Sequence, residues 1–447
     1  MRVDLTRIHG PAASRRGQIL IIFVFAIIAL IGITGLAIDG GNIYSDRRHA
    51  QSAADTAAIT AAIVRVRAEE GGAVDCTDLT TPSACGSKVL NTARDRAREN
   101  GYSGNLTDST VEVHIPPIEG PYSDCAAADF DCTDYVQVII STNVNTWFAR
   151  VLGTAQLHNR VSAVALAVSE RKESPFPNAA IVGLDPEGLS FEAQSNSQRW
   201  KIKGGGIFAN HNAEDKHRNV DFLDGNCVTA VGTASGFTCG GSSNNPDLLI
   251  QYPSDVLEKL PPIPDCEGTA TSGKDKIVQP DADTDKAATG SVWTQGFEGY
   301  SFAPGLYCMK DGNKETIQTD VYGTDVTFYM MDNFDIKFNG KSGSFAVQAP
   351  ATGTYAGVLM FSDITTPSGK ACPQSLEFRG NGTTPVKGTI FLPGACVNWL
   401  GTSSAAAADT QLIGWQIYSN GTADVNFNYN ADDNLQKELP AEVGLMH

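Results

Sequence analysis

The sequence predicts a single transmembrane helix, then a small α+β head, then a mostly-β C-terminal domain. That last domain reads as a parallel β-helix or solenoid, with a β-sandwich as the alternative. Three observations carry this prediction. Residues 19–38, ILIIFVFAIIALIGITGLAI, hold no charge. Residues 40–170 alternate between helix-period and strand-period stretches. Beyond residue 177 the helix signals fade, and glycine, asparagine, serine and threonine separate short apolar runs.

The apolar run comes first. At about 1.5 Å per residue it makes a helix of roughly 30 Å, the thickness of a bilayer's hydrocarbon core. Arg15 and Arg16 precede it and Asp39 follows it. That charge order predicts a cytoplasmic N-terminus and places the bulk of the chain outside, in the periplasm or beyond. A cleaved secretory signal is the rival reading. Signals have apolar regions of about 7–15 residues and end at a small-residue site. This run is longer and lacks a clear A-x-A. The expected organisation is a basic tail over 1–16, the membrane helix over 17–39, the head over 40–170, a linker at 171–177, the solenoid over 178–430 and a C-terminal tail over 431–447.

The chain has 447 residues and a net charge of −17, which argues against a nucleic-acid partner. Its ten cysteines are Cys76, Cys85, Cys125, Cys132, Cys227, Cys239, Cys266, Cys308, Cys372 and Cys396. All lie after the apolar run, their number is even, and several are close neighbours: 76 with 85, 125 with 132, 227 with 239. This pattern predicts disulfides in an oxidising compartment, with local pairing as the expectation. Zinc would need C-x-x-C spacing, which is missing.

In the head, residues 42–68 carry neither proline nor glycine, and Ala50, Ala53, Ala54, Ala57, Ala58 and Ala61 recur at helical spacing. The helix should therefore continue past the membrane and stop at Gly71-Gly72. Such a stripe packs either against neighbouring subunits or against the protein's own sheet, and the second is preferred. Asp39, Asp55, Ala54 and Ala58 are the candidate helix-packing residues; capping or solvation is an equal role for Asp39. Residues 88–100 read as a polar helix. TVEVHI (110–115), YVQVIIS (135–141) and RVSAVALAVS (160–169) read as strands, and VNTWFARVL (144–152) as a short helix. RKESPFP (171–177) marks the boundary.

In the C-terminal part a glycine leads a short strand at Gly206, Gly357, Gly388 and Gly414, with tight polar turns between. Irregularly spaced short strands suit stacked coils. Residues 241–292 read as a long inserted loop with a possible turn of helix at 253–260. Little suggests chemistry. His211, Asp215, His217, Asp221 and Asp224 could be imagined around a metal, but a solvated loop accounts for them more simply. Asp332, Asp335 and Glu377 are scattered acids, and no G-x-S-x-G, H-E-x-x-H or phosphate loop occurs. Trp293, Trp399, Trp415, Tyr300, Tyr307, Tyr418 and Tyr429 are expected mainly as core. No catalysis, cofactor or metal is expected.

Several stretches together resemble the TadE/TadG-like family of Flp (Tad) pilus assembly. They are Arg16-Gly17-Gln18, the closing GLAID of residues 35–39, Asp46-Arg47-Arg48, and QSAADTAA at 51–58. TWFARVLG at 146–153 and VSAVALA at 161–167 extend the likeness more loosely. The resemblance implies a bacterial cell-membrane protein with a pilin-like head, of the longer TadG type, that anchors or assembles a pilus or presents an adhesive surface. Its implied partners are the membrane, other pilus-assembly proteins or pilin-like subunits, and a surface glycan. A surface-tethered protein that binds or cleaves polysaccharide is the alternative. Relatives processed by a prepilin peptidase carry a glutamate five residues after the cut; here Gly17 is followed at that position by Ile22. The D-x-S-x-S motif of von Willebrand A domains is missing.

Overall fold

The computed structural model describes residues 16–70, 84–104, 108–124, 131–239, 241–281, 289–310, 314–340, 345–366, 371–380, 386–401, 406–422 and 424–446. The chain divides into two compact units: residues 1–171 with 439–447, and residues 172–438.

The first unit is built on α1, Arg16–Glu70, one continuous helix that contains the whole apolar run. Its two halves face different surroundings. Leu20, Phe25, Leu30 and Ile33 are exposed, each by more than half. In the second half Ala50, Ala53, Ala54, Ala57, Ala58, Ala61 and Ala62 are buried. They pack against α2, Ala84–Glu99, and against a sheet of β1 (Ser109–His114), β2 (Tyr135–Asn145), β3 (Gln156–Val168) and the strand Glu442–Met446. The four strands pair antiparallel in that order. Alanines on both partners, such as Ala54 and Ala58 facing a sheet that carries Ala163 and Ala165, bring helix and strand backbones close. The stripe is thus covered by the protein's own fold. Gly71 and Gly72 lie outside the described residues.

Two expectations for this unit are corrected. Residues 144–152 do not form a helix. β2 runs on to Asn145 because residues 143–145 keep their antiparallel partners at 156–158, and only Ala149–Leu152 makes a 3-10 turn, closed by Gly153 at φ 99°. The C-terminal residues do not trail as a tail either. Val443 and Leu445 pack on the core, and the strand Glu442–Met446 pairs with the edge that β3 would otherwise leave open.

Among the described residues of the second unit the strands of the two large sheets pair in parallel, apart from the short antiparallel pair Thr271–Ser272 with Ile277–Gln279. Strands come in sets of three. Val326–Met330, Asp335–Gly340 and Phe345–Gln348 pair in parallel with elements of a later set, Val358–Phe361, Gln374–Gly380 and Val386–Lys387. Stacking order departs from chain order. Leu412–Ser419 lies beside Ala179–Gly183 and Leu189–Ala193, and Val425–Asn428 lies beside Trp200–Lys203, so the last set stacks on the first. The cause is a crossover earlier in the chain: Ala234–Ser235 and Asp265–Thr269 belong to opposite ends of the stack, and the strands that follow run back toward the first set.

That crossover, read from the sequence as a loop, is anchored. It contains the one-turn helix Ser254–Glu258, and Val256 is buried with Phe176, Phe361 and Phe391. Tyr252 packs edge-on to Trp415 with ring centres 4.5 Å apart, and burial pushes its hydroxyl up to about 12. The expected linker at 171–177 also carries core: Phe176 lies 5.9 Å from Phe391, and Ser174 bonds to Gln411. The inner core is a ladder of rings in register, Phe338 over Phe378 (5.2 Å) over Trp399 (4.2 Å), because parallel pairing puts like positions on top of one another. Gly388, at φ 110°, starts one such strand; a Cβ there would stand 2.4 Å from Cβ of Ala349.

Glu315, in the strand Lys314–Ile317, bonds back to residues 297 and 298. Its carboxylate accepts the amides of Phe297 (2.9 Å) and Glu298 (2.5 Å). Burial pushes its carboxyl above the usual carboxylate range, against the pull of those two amides. The sign follows from proton linkage. In the acidic window between the unfolded and folded pKa the folded chain holds this proton more tightly. Its contribution is therefore full below the unfolded value and is lost as pH rises through the folded one. Glu315→Gln is expected to flatten that decline, read as the denaturant midpoint across the acidic range; an unchanged slope would contradict the assignment.

Candidate functional site

Several polar contacts of the first unit fall along one seam, where the sheet side grips α1. Asp39 stands one residue past the apolar run and is buried as a residue (4% exposed). It accepts the backbone N–H of Trp147 at 2.8 Å, Phe148 at 3.0 Å and Ala149 at 2.7 Å. Two turns on, Asp46 accepts Thr142 Oγ1 at 2.6 Å from β2 and Asn159 Nδ2 at 3.1 Å from β3. Beside it the Tyr102 hydroxyl meets His49 Nδ1 at 3.1 Å; burial first, and Asp46 second, push that hydroxyl up to about 12. Gln51 donates to Ser162 O at 3.1 Å and to Asp55 at 2.8 Å. Farther along, the buried Arg65 donates to Thr133 O and pairs with Asp134 at 3.5 Å.

A helix held at Asp39, Asp46, Gln51 and Arg65 cannot rotate about its axis without breaking charge-assisted bonds at several levels. The polar positions of the quoted motifs thus act within one head. Asp39 binds a loop, Asp55 is met by the side chain one turn before it, and Ala54 and Ala58 face the sheet. The sequence offers Asp39 as a helix-packing candidate, and Asp46 and TWFARVLG enter only as parts of the resemblance, with nothing to join Asp39 to residues 147–149 or Asp46 to β2 and β3. An acid next to an apolar run was the only available signal, because the loop it holds lies more than a hundred residues on.

The residues weighed for metal chemistry are separated by their own tasks. Asp215 accepts the amides of His217 (3.3 Å) and Val220 (2.9 Å), and Asp221 pairs with Arg199 at 3.4 Å. Asp224 holds the Gly204 amide, and His211 Nδ1 lies 3.0 Å from Gly188 O. Asp335 pairs with Lys337 at 3.5 Å and Glu377 with Arg379. An open cleft of 730 Å³ in the second unit mixes lysines and acids. Lys387 is paired there with Asp433 at 2.8 Å and Lys172 with Glu438 at 3.3 Å. Trp293, Trp399, Trp415, Tyr307 and Tyr429 are buried, while Tyr300 and Tyr418 are partly buried.

Disulfides join Cys227 to Cys239, Cys266 to Cys308 and Cys372 to Cys396. Cys132 is disulfide-bonded as well. Cys76 and Cys125 fall outside the described residues, as does the side chain of Cys85.

The seam and the apolar run together are what the comparison with known families picks out. Residues 17–65 match the family model described as putative Flp pilus-assembly TadE/G-like. This TadE/G-like segment begins at the membrane-length run and ends at Arg65, so it contains every α1 residue of the seam. It covers the helix and not the sheet. No curated protein matches the chain. Among solved structures, an ice-binding protein from an Antarctic Flavobacteriaceae bacterium is similar at 11% identity and a TM-score of 0.30. The alignment covers 57% of this chain and 47% of that one.

Proposed function

We propose that the protein is a single-pass membrane component of a Flp pilus-assembly system, structural rather than catalytic. In this reading residues 19–38 retain it in the membrane, with the N-terminus cytoplasmic. The outer part of α1 carries a pilin-like head, and residues 172–438 form a β-solenoid displayed outside. The observation that carries the proposal is the coincidence of the TadE/G-like match at 17–65 with one helix long and apolar enough to cross a membrane. Exposed side chains such as Leu20, Phe25 and Leu30 support it, since each gains about 1.5–3 kcal/mol on leaving water for hydrocarbon. Partners would be other assembly proteins or pilin-like subunits. Because the alanine stripe is already covered, they would meet the head elsewhere than along Ala54 and Ala58.

The test is an in-frame deletion in a pilus-forming host. Flp pili are expected to fall sharply, to return with the full chain, and not to return with a chain lacking 17–39. Normal pilus numbers in the deletion strain would remove the assembly role. An alkali-extractable product missing residues 1–38 would remove the anchor.

A further inference from the structure

The loop held by Asp39 is apolar and uncovered. Trp147 is 73% exposed, Val151 85%, Leu152 77% and Phe148 40%. Such a cluster in water needs an explanation. Its position supplies one. A Cβ at Gly35 would stand 2.4 Å from Cγ of Phe148, so the ring lies directly on the α1 backbone, inside the apolar run. Four residues of helix separate Gly35 from Asp39, which is about 6 Å along the axis. The loop therefore sits at the depth where the run gives way to charge. Arg150 is exposed on the same turn, and Tyr44, Arg47 and Arg48 are exposed on α1 just beyond. Tryptophan and tyrosine are enriched at the boundary between hydrocarbon and lipid headgroups on either side of a membrane.

We propose that residues 147–152 are a second membrane contact, with Trp147, Phe148, Val151 and Leu152 seated in the lipid interface beside α1 at its Asp39 end. The proposal rests on the membrane-spanning reading of residues 19–38. Lipid is the favoured occupant because the patch is continuous with the exposed apolar surface of that run. Asp39 is the positioning residue: three amides of one loop converge on its carboxylate, and so fix the loop's height. A head held at two points can neither swivel about a single rod nor tilt freely.

Tryptophan fluorescence tests this on the full chain in phosphatidylcholine vesicles. Of the five tryptophans, Trp200, Trp293, Trp399 and Trp415 are at most 4% exposed, so Trp147 is the reporter. Lipids brominated near the top of the acyl chain are expected to at least halve the emission that Trp147→Phe removes. Bromine near the chain end should quench it less. Asp39→Ala should still float with the vesicles but lose this quenching, and Asp39→Asn, which keeps one acceptor oxygen, should recover part of it. Quenching by aqueous iodide instead of bromolipid would overturn the proposal. So would emission shielded from both quenchers, which would point to another protein chain on the patch. Failure to float would overturn the membrane reading itself, and this proposal with it.

Discussion

Trp200→Ala is expected to destabilise the 172–438 unit by about 3–5 kcal/mol. Trp200 is fully buried, stacked on Phe427 at 5.3 Å with planes 7° apart, and edge-on to Phe191 at 5.7 Å. Its indole N–H donates to Ser419 Oγ at 2.6 Å, and that hydroxyl donates in turn to Gln198 at 2.5 Å. These contacts join residues around 200 to residues around 420, where the last set of strands lies on the first. Alanine would leave a cavity at that junction and strip Ser419 of one partner. Trp200→Phe keeps most of the ring area and should cost less than half as much. Chemical denaturation followed by circular dichroism reads both variants. A loss below about 1 kcal/mol for alanine, an ordinary surface value, would show that the junction is not closely packed.

The second large effect is expected from the pair Cys266→Ser, Cys308→Ser. The bridge closes a loop of sequence separation 42, and its Cα atoms are 6.0 Å apart. Loop-closure entropy puts its contribution at about 4 kcal/mol, against about 3 for the shorter Cys227–Cys239 loop. The location adds weight. The strand Asp265–Thr269 is terminal in its sheet, so it has a neighbour on one side only. The bridge passes over Gly290, where a Cβ would stand 2.6 Å from Sγ of Cys308. The double variant is expected to unfold at clearly lower denaturant and to fray first at this strand, seen as faster amide exchange there. Equal midpoints with and without reductant would mean that the bridges do not support the fold.

What was legible in the sequence was local. The bilayer dictates the length of an uncharged run, and a helix lying on a sheet dictates an alanine every three or four residues, so residues 19–38 and 50–61 announced themselves. Strands such as TVEVHI and YVQVIIS showed their alternation. Cys227 and Cys239 are near enough for proximity to suggest the bridge. Contacts between distant segments left no period to read. Nothing in GLAID names Trp147 as the partner of Asp39. Nothing in residues 412–419 says that they pair with residues 181–193. VNTWFARVL reads as a short helix closed by Gly153, but strand pairing holds its first two residues and only Ala149–Leu152 makes a 3-10 turn, with Trp147, Val151 and Leu152 exposed. A fragment such as EVGLM is too short to be told from a frayed end until β3 is seen to need a neighbour.

The pairing of that final strand has a consequence for how the chain is routed. Val168 at the end of β3 sits opposite Glu442 at the start of the closing strand, so the two form one rung of an antiparallel pair. Everything from 169 to 441 lies, in chain order, between those two strands. The points of entry and exit are a strand's width apart, so the chain leaves this sheet and rejoins it at one place, whatever the length of what lies between.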